Sequence, residues 1–317
     1  MRALTIQLKV ILAFATANGL ACVGLWATSR SSYERNVEAM SKQALAMSRR
    51  SFEQLSEGEI AKMQSVLMSV VSNQQLVAQM SLSQRDELLK STLPLYTELK
   101  RSQGITNFNY IDASENRILV MSDPRDPKLI GTKAIRHNIQ ESARTKTWGV
   151  GLALGFNGFA LRITHPVYDS GQLQGGRLLG YLELGTEING FTRRLKAVTG
   201  HDYALLLSKK YLQEDKWAAG RKIVGLENNW ANQPDVVVAT NTTSQDDIFG
   251  ITDDIAQLPD QGRTLGISTR GGHHYLRGVF PIRDAAQQKV GAIFVLTDVS
   301  AFTDELHRSL VRTLATG

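Results

Sequence analysis

The sequence predicts an α+β chain: an N-terminal helix of membrane-spanning length, a long helix after it, and two tandem modules built on antiparallel sheets. Three observations carry this prediction. A hairpin-like unit occurs twice. Arg162, Pro166 and Asp169 recur in spacing as Arg277, Pro281 and Asp284, and the run from Gly180 to Glu187 recurs from Gly291 to Asp298. A repeat of this size means one supersecondary plan used twice. An apolar run covers Ile6 to Ala27, and the stretch from Ser29 to Met80 contains no proline.

The composition limits the function classes. Hydrophobic residues make up 42% of 317 residues and charged residues 21%, enough to bury a core. The net charge of +6 is spread without a basic block or aromatic-basic interleaving, so a nucleic-acid partner is not expected. The single cysteine, Cys22, lies in the apolar run, which leaves no disulfide and no cysteine-based metal or redox site elsewhere.

The run from Ile6 to Ala27 spans about 33 Å as a helix, the thickness of a bilayer core. Arg2 and Lys9 near its start favour a cytoplasmic N-terminus and an extracytoplasmic remainder. A cleaved signal peptide is the alternative. No small-x-small cleavage site is evident, and the polar helix after Thr28 continues the span, so a retained anchor is the better reading. Gly19, three residues before Cys22, speaks against a lipoprotein.

From Ser29 to about Met80 the spacing predicts one long helix or two end to end, with Gly58 as a weak point. Tyr33, Val37, Met40, Ala44 and Met47 step by three and four, and Met63, Val66 and Val70 continue the step. So narrow a stripe suits a second helix from another subunit, or packing on the chain's own domain. Ser83 with Asp86 and Glu87 reads as the start of another helix, kinked or broken at Pro94 and ended by Gly104.

The first module follows. Strands are expected over 105–111, 117–121, 148–154, 159–167 and 178–184, with a short helix over 133–146 and a tight turn at Phe156-Asn157-Gly158. On the first strand Phe108 and Tyr110 share one face, and Asn107 and Asn109 the other. Five antiparallel strands with helix inserted before the third make a PAS-like α+β module. A linking helix over 191–199, ended by Gly200, leads to a second module. Its strands are expected over 202–208, 235–240, 263–269, 274–282 and 289–298, with a short helix capped by Thr252. The insert carrying Trp217 and Trp230 has no assigned place. Ser300 reads as the cap of a last helix reaching about Leu314. The resulting division is 1–28 stub and span, 29–103 helical stalk, 104–190 first module, 191–299 second module, and 300–317 returning helix.

Within this frame, the segment from Gly149 to Asp169 followed by Leu178 to Gly185 resembles the double Cache sensor domains of bacterial chemoreceptors, sensor kinases and diguanylate cyclases. The resemblance covers most of the chain after Thr28. It implies a membrane-distal first module that holds the usual ligand pocket and a membrane-proximal second one. The chain departs from relatives that carry Arg and His on the second strand, where it has Ile118-Leu-Val-Met-Ser-Asp-Pro. The Arg/Trp/Tyr cluster with a downstream Asp of amino-acid-binding relatives is also missing.

Candidate binding residues are Phe108, Tyr110, Arg136, His137, Trp148 and Arg162. Arg162 has two readings, a bidentate contact to a carboxylate ligand or a structural ion pair with Glu183 across the hairpin. The ion pair is favoured. Arg136 and His137 open the helix that borders the pocket in PAS-like folds, although a solvated helix face explains them as well. Phe108, Tyr110 and Trp148 suit a cavity wall or simple core packing. His273 and His274 point to opposite faces of a strand and do not share a metal ion. Phosphate loops, nucleophile elbows, zinc helices and kinase loops are missing from the sequence, and Gly149-Val-Gly-Leu-Ala-Leu-Gly opens no helix, so an enzyme is not expected and no cofactor is implied.

The expected function is the small-molecule-sensing region of a transmembrane signalling receptor in the bacterial inner membrane. Most of the chain would be periplasmic, with a small organic ligand and a homodimer partner. A single span and no output domain lead us to expect a piece of a longer receptor. The alternative is a membrane-tethered solute-binding or protein-interaction module.

Overall fold

In a computed structural model, residues 6–82, 84–155, 158–171, 175–243, 249, 254–305 and 308 are described. Helix α1 runs unbroken from Ile6 to Val71, so span and stalk are one helix and Gly58 does not interrupt it. Ile11, Leu12, Phe14, Leu20, Val23 and Trp26 are all exposed, with at least half of each surface open. This segment is long and apolar enough to cross a membrane. Asn73 caps α2 (Gln74–Ser81), its side-chain oxygen accepting from Gln75 N and Leu76 N.

Helix α3 (Arg85–Gln103) starts after Gln84 and ends on Gly104, which takes the left-handed conformation at φ 68°. The expected cap Ser83 lies outside the described residues. The break expected at Pro94 does not occur, because Pro94 sits on the exposed face of a helix held by buried Leu88, Thr92, Tyr96 and Leu99. There a lost backbone bond costs least.

The first sheet has the order β2-β1-β5-β4-β3, from β1 (Asn107–Asp112), β2 (Arg117–Val120), β3 (Gly149–Gly155), β4 (Gly158–Tyr168) and β5 (Leu178–Glu187). Helix α4 (His137–Thr145) is shorter than expected, because residue 133 is still in extended pairing with Asn116. Helix α5 (Phe191–Thr199) leads to the second sheet. That sheet repeats the order as β7-β6-β10-β9-β8, from β6 (Asp202–Ser208), β7 (Val236–Asn241), β8 (Arg263–Arg270), β9 (His273–Arg283) and β10 (Lys289–Asp298). The sequence repeat is therefore β4–β5 against β9–β10. The unassigned insert holds α6 (Glu214–Ile223).

The turn at Phe156-Asn157, the cap Thr252 and most of the helix expected to reach Leu314 lie outside the described residues. The short helical turn Ile255–Gln257 is capped by Asp254. A helix does begin at Ser300, but Asp298 precedes it as the acceptor of Ser300 N.

Helix α1 serves both sheets in sequence. Ser48 bonds Tyr203 at 2.8 Å, and the Phe52 ring lies 5.9 Å from Phe280, both in the second module. Further along, Glu59 bonds Arg194 of α5, and Met63, Leu67 and Val70 enter the main core with the first sheet. The second module therefore lies nearer the apolar N-terminal segment. The stepped stripe on α1 is consumed partly within the chain, since Val37 and Tyr33 border a groove with Ile267 and Leu276. The sheets also touch directly. Ala285 N donates to Leu152 O at 2.9 Å, and a side chain on Gly151 would come within 2.6 Å of the Ala285 Cβ.

Candidate ligand-binding site

Strand alternation gives β1 two chemically distinct faces. Phe108 and Tyr110 point toward α3, where the Tyr110 hydroxyl meets Thr92 Oγ1 at 2.8 Å. Asn107 and Asn109 point the other way, toward the charged face of the sheet. Phe108 and Tyr110 are thus core residues, the second of the two readings, and they are not among the lining of the cavity on the charged face.

Glu183 sits at the centre of the charged face and is fully buried. Its Oε2 accepts from Asn109 Nδ2 at 2.6 Å, Arg136 Nη1 at 2.6 Å and Arg162 Nη1 at 3.1 Å. Its Oε1 accepts from Asn138 Nδ2 at 3.0 Å. Burial pushes the Glu183 carboxyl up, but Arg136, Arg162 and the two amides outweigh it and hold it at about 2. Strand β5 supplies the acid, β4 and the start of α4 the cations, and β1 and α4 the amides. Gly149 lets α4 dock, because a Cβ there would fall 1.7 Å from Asn138 O. That packing, not phosphate binding, accounts for this glycine of the Gly149–Gly155 run.

Beside this network lies a cavity of about 510 Å³, within the range of small-ligand sites. Arg162, Arg136, Arg117 and Asn107 line it from the first sheet and α4, with Tyr96 and Lys100 from α3. Trp217, Arg221, Ile223, Val224 and Leu226 line it from α6 and the turn that follows. Arg162 is only 3% exposed. Its Nη2 donates to Asn107 Oδ1 at 3.1 Å, but its Nε has no hydrogen-bond partner among the described residues. Burial lowers its pKa more than Glu183 raises it. Glu187 borders the same cavity. Burial raises its pKa more than Arg162 and Asn107 lower it.

The structure brings Arg136, Arg162 and Glu183 together. It leaves His137 exposed, with neither His137 nor Trp148 among the cavity residues. The Trp148 ring packs instead against His165 at a tilt of 56°, centroids 4.4 Å apart. Sequence reasoning missed Arg117, Asn138, Glu187 and the whole α6 wall. Asn109 was legible from strand alternation. Arg117 opens the second strand and was passed over in favour of the residues after it. His273 bonds Asp298 and His274 bonds Thr269, and among the described residues no cluster of His, Cys, Asp and Glu suits a metal ion.

In the second module the corresponding sheet face is closed by apolar side chains. Phe294, at the position of Glu183, packs edge-on against Phe249 at 5.5 Å, and both are fully buried.

Residues 39–303 match the family described as the double sensory domain of two-component sensor kinases, a double Cache family. The chain belongs to that family and is a sensory module. Structural likeness extends to the periplasmic domain of Vibrio cholerae LuxQ at 11% identity, with 81% of this chain and 99% of that one covered and a TM-score of 0.45. It extends also to the V. cholerae histidine kinase DctB sensor domain at 13% identity, with 81% and 98% covered and a TM-score of 0.45. The ligand-binding domain of the Campylobacter jejuni chemoreceptor Tlp3, in complex with 4-methylisoleucine, matches at 11% identity, with 84% and 93% covered and a TM-score of 0.40. No curated protein matches the chain.

Proposed function

We propose that this chain is the extracytoplasmic small-molecule-sensing region of a transmembrane receptor in the bacterial inner membrane. The ligand binds at the charged face of the first sheet. Binding biases the arrangement of sheets and helices, and α1 carries the bias toward the membrane. The observation that carries this reading is the cavity bordered by Arg162, Arg136 and Arg117, where Arg162 is a deeply buried guanidinium whose Nε has no partner among the described residues. Guanidinium groups gathered at one cavity wall suit an acidic group on a ligand. The exposed apolar start of α1 supports the membrane anchor, and the outer face of the same helix offers the seam for a homodimer. A ligand shifts such an equilibrium only by its difference in affinity for the two states.

The test is the melting temperature of the full chain against organic acids, amines, amino acids and nucleobases. A ligand at a hundredfold excess over its Kd stabilises the native state by about 2.7 kcal/mol. Stabilisation by one chemical class, reduced in Arg162→Lys, is the expected result. No stabilisation by any compound overturns the reading and leaves a protein-interaction module, for which Glu183 already fills the place of a ligand carboxylate.

A further inference from the structure

We propose that the ligand is an amphipathic organic monoanion clasped between the two modules, its charged head at Arg162, Arg136 and Arg117 and its apolar tail against Ile223, Val224 and Leu226. This rests on the sensing reading above and adds to it a ligand class and a second wall.

The head group follows from the charges. Lys100, Arg117, Arg136 and Arg162 border the cavity, against the carboxylates of Glu183 and Glu187. Glu183 is buried under Arg136 and Arg162 and uses part of their charge. Burial favours the neutral form of Glu187. The surplus is positive, which repels amines and attracts acids. A carboxylate is the natural acceptor for guanidinium groups held in a fixed fork.

The tail follows from the second wall. Ile223 is 77% exposed, Val224 60% and Leu226 49%. Three large apolar residues this open, within four positions of one another, border the same cavity as the cations. The end of α6 places them there. Leu226 N donates to Arg221 O and Gly225 N to Lys222 O, with Gly225 at φ 72°, so the chain turns back and Leu226 joins the wall. Trp217, almost fully buried, adds an aromatic surface to that wall and is fixed by its Nε1 donating to Asn229 Oδ1 at 3.1 Å. An ionic second end on the ligand would lose hydration against Ile223, Val224 and Leu226. The preference is therefore for one charge and an apolar remainder.

The experiment uses the full chain in nanodiscs and calorimetric titration with butyrate, pentanoate, hexanoate, glutarate, hexylamine and hexanol. Affinity is expected to rise about threefold to fourfold per methylene from butyrate to hexanoate, as each added group leaves water. Glutarate, hexylamine and hexanol are expected to bind at least tenfold more weakly than hexanoate. Val224→Asp and Leu226→Asp alter exposed side chains and should leave the ligand-free melting temperature unchanged while weakening hexanoate tenfold or more. Arg117→Gln, which spares the contacts to Glu183, should weaken every acid alike. Equal binding of butyrate and hexanoate, untouched by the two Asp variants, overturns the clasp and leaves the sensing reading standing. Binding of the amine or alcohol in preference to the acids overturns the ligand class. No binding by these compounds or by the wider panel of the preceding section removes the sensing reading, and this inference with it.

Discussion

Arg162 and Glu183 meet on the diagonal of the β4–β5 pair. Arg162 lies opposite Gly185 and Glu183 opposite Thr164, yet Arg162 Nη1 is 3.1 Å from Glu183 Oε2. Gly185 makes the diagonal possible, because a Cβ there would stand 3.1 Å from Arg162 Cγ. The Arg162 stem lies over this glycine and its head reaches a carboxylate two residues along the partner strand.

This contact predicts a large asymmetric effect of substitution. Glu183→Gln leaves Arg162 buried without a carboxylate, and removing one partner of a buried pair costs about 3–5 kcal/mol. Replacing Arg162 by Met in the same background removes the stranded charge and should recover part of that loss. Urea unfolding of the wild type, the single variant and the double variant measures both steps. A loss below about 1 kcal/mol for Glu183→Gln, by the same buried-pair reasoning, means the network contributes no net stability.

Acid should unfold the protein through the same carboxylate. Glu183 has a folded-state pKa of about 2 against an ordinary 4.5. A depressed carboxyl contributes stability above its unfolded pKa and loses it as pH falls toward the folded value. The window is therefore pH 4.5 down to 2, and the loss is on the order of 3 kcal/mol. Glu187 has the opposite sign. Its pKa is raised, so its contribution is full below its unfolded value and is lost as pH rises through the folded one. Unfolding midpoints across this range should fall more steeply for the wild type than for Glu183→Gln. Parallel profiles for the two proteins would place the acid sensitivity elsewhere.

The sheets were legible in the sequence because their signals are local. Alternation and turn residues mark β6 and β10 to the residue, and Gly200 marks the end of α5. The repeat of Arg162 and Pro166 as Arg277 and Pro281 gave the shared topology of the two sheets. The cavity was only half legible. Arg136 and Arg162 stand beside recognisable elements, whereas α6 reaches the site by a tertiary contact that no spacing in the chain encodes. The choice between cavity wall and core for Phe108 and Tyr110 was open for a related reason. Alternation separates two faces of a strand, but which face meets α3 depends on where α3 docks. Pro94 left a kink and a break both open, because the sequence does not show that its side of α3 faces solvent.

The second module offers the sharpest contrast with the first. Both sheets have one order and one repeat, but where the first places Glu183 the second places Phe294, closed over by Phe249. A face packed with Val279, Leu206 and Phe294 sets apolar side chains where the first sheet has Glu183 and its amide partners, and Arg277 beside them donates to Leu265 O. Its role is cohesion, and Phe294→Ala should show this by costing about 3–5 kcal/mol, the usual loss for a buried aromatic ring. If ligand binding is confined to the first sheet, affinity for the ligand found by melting analysis should remain within twofold of the wild type in that variant. Unfolding by urea and titration on the same preparation separate the two effects. A variant of unchanged stability means the second sheet is loosely packed, and a variant of normal stability with lost affinity means that the second module holds part of the site.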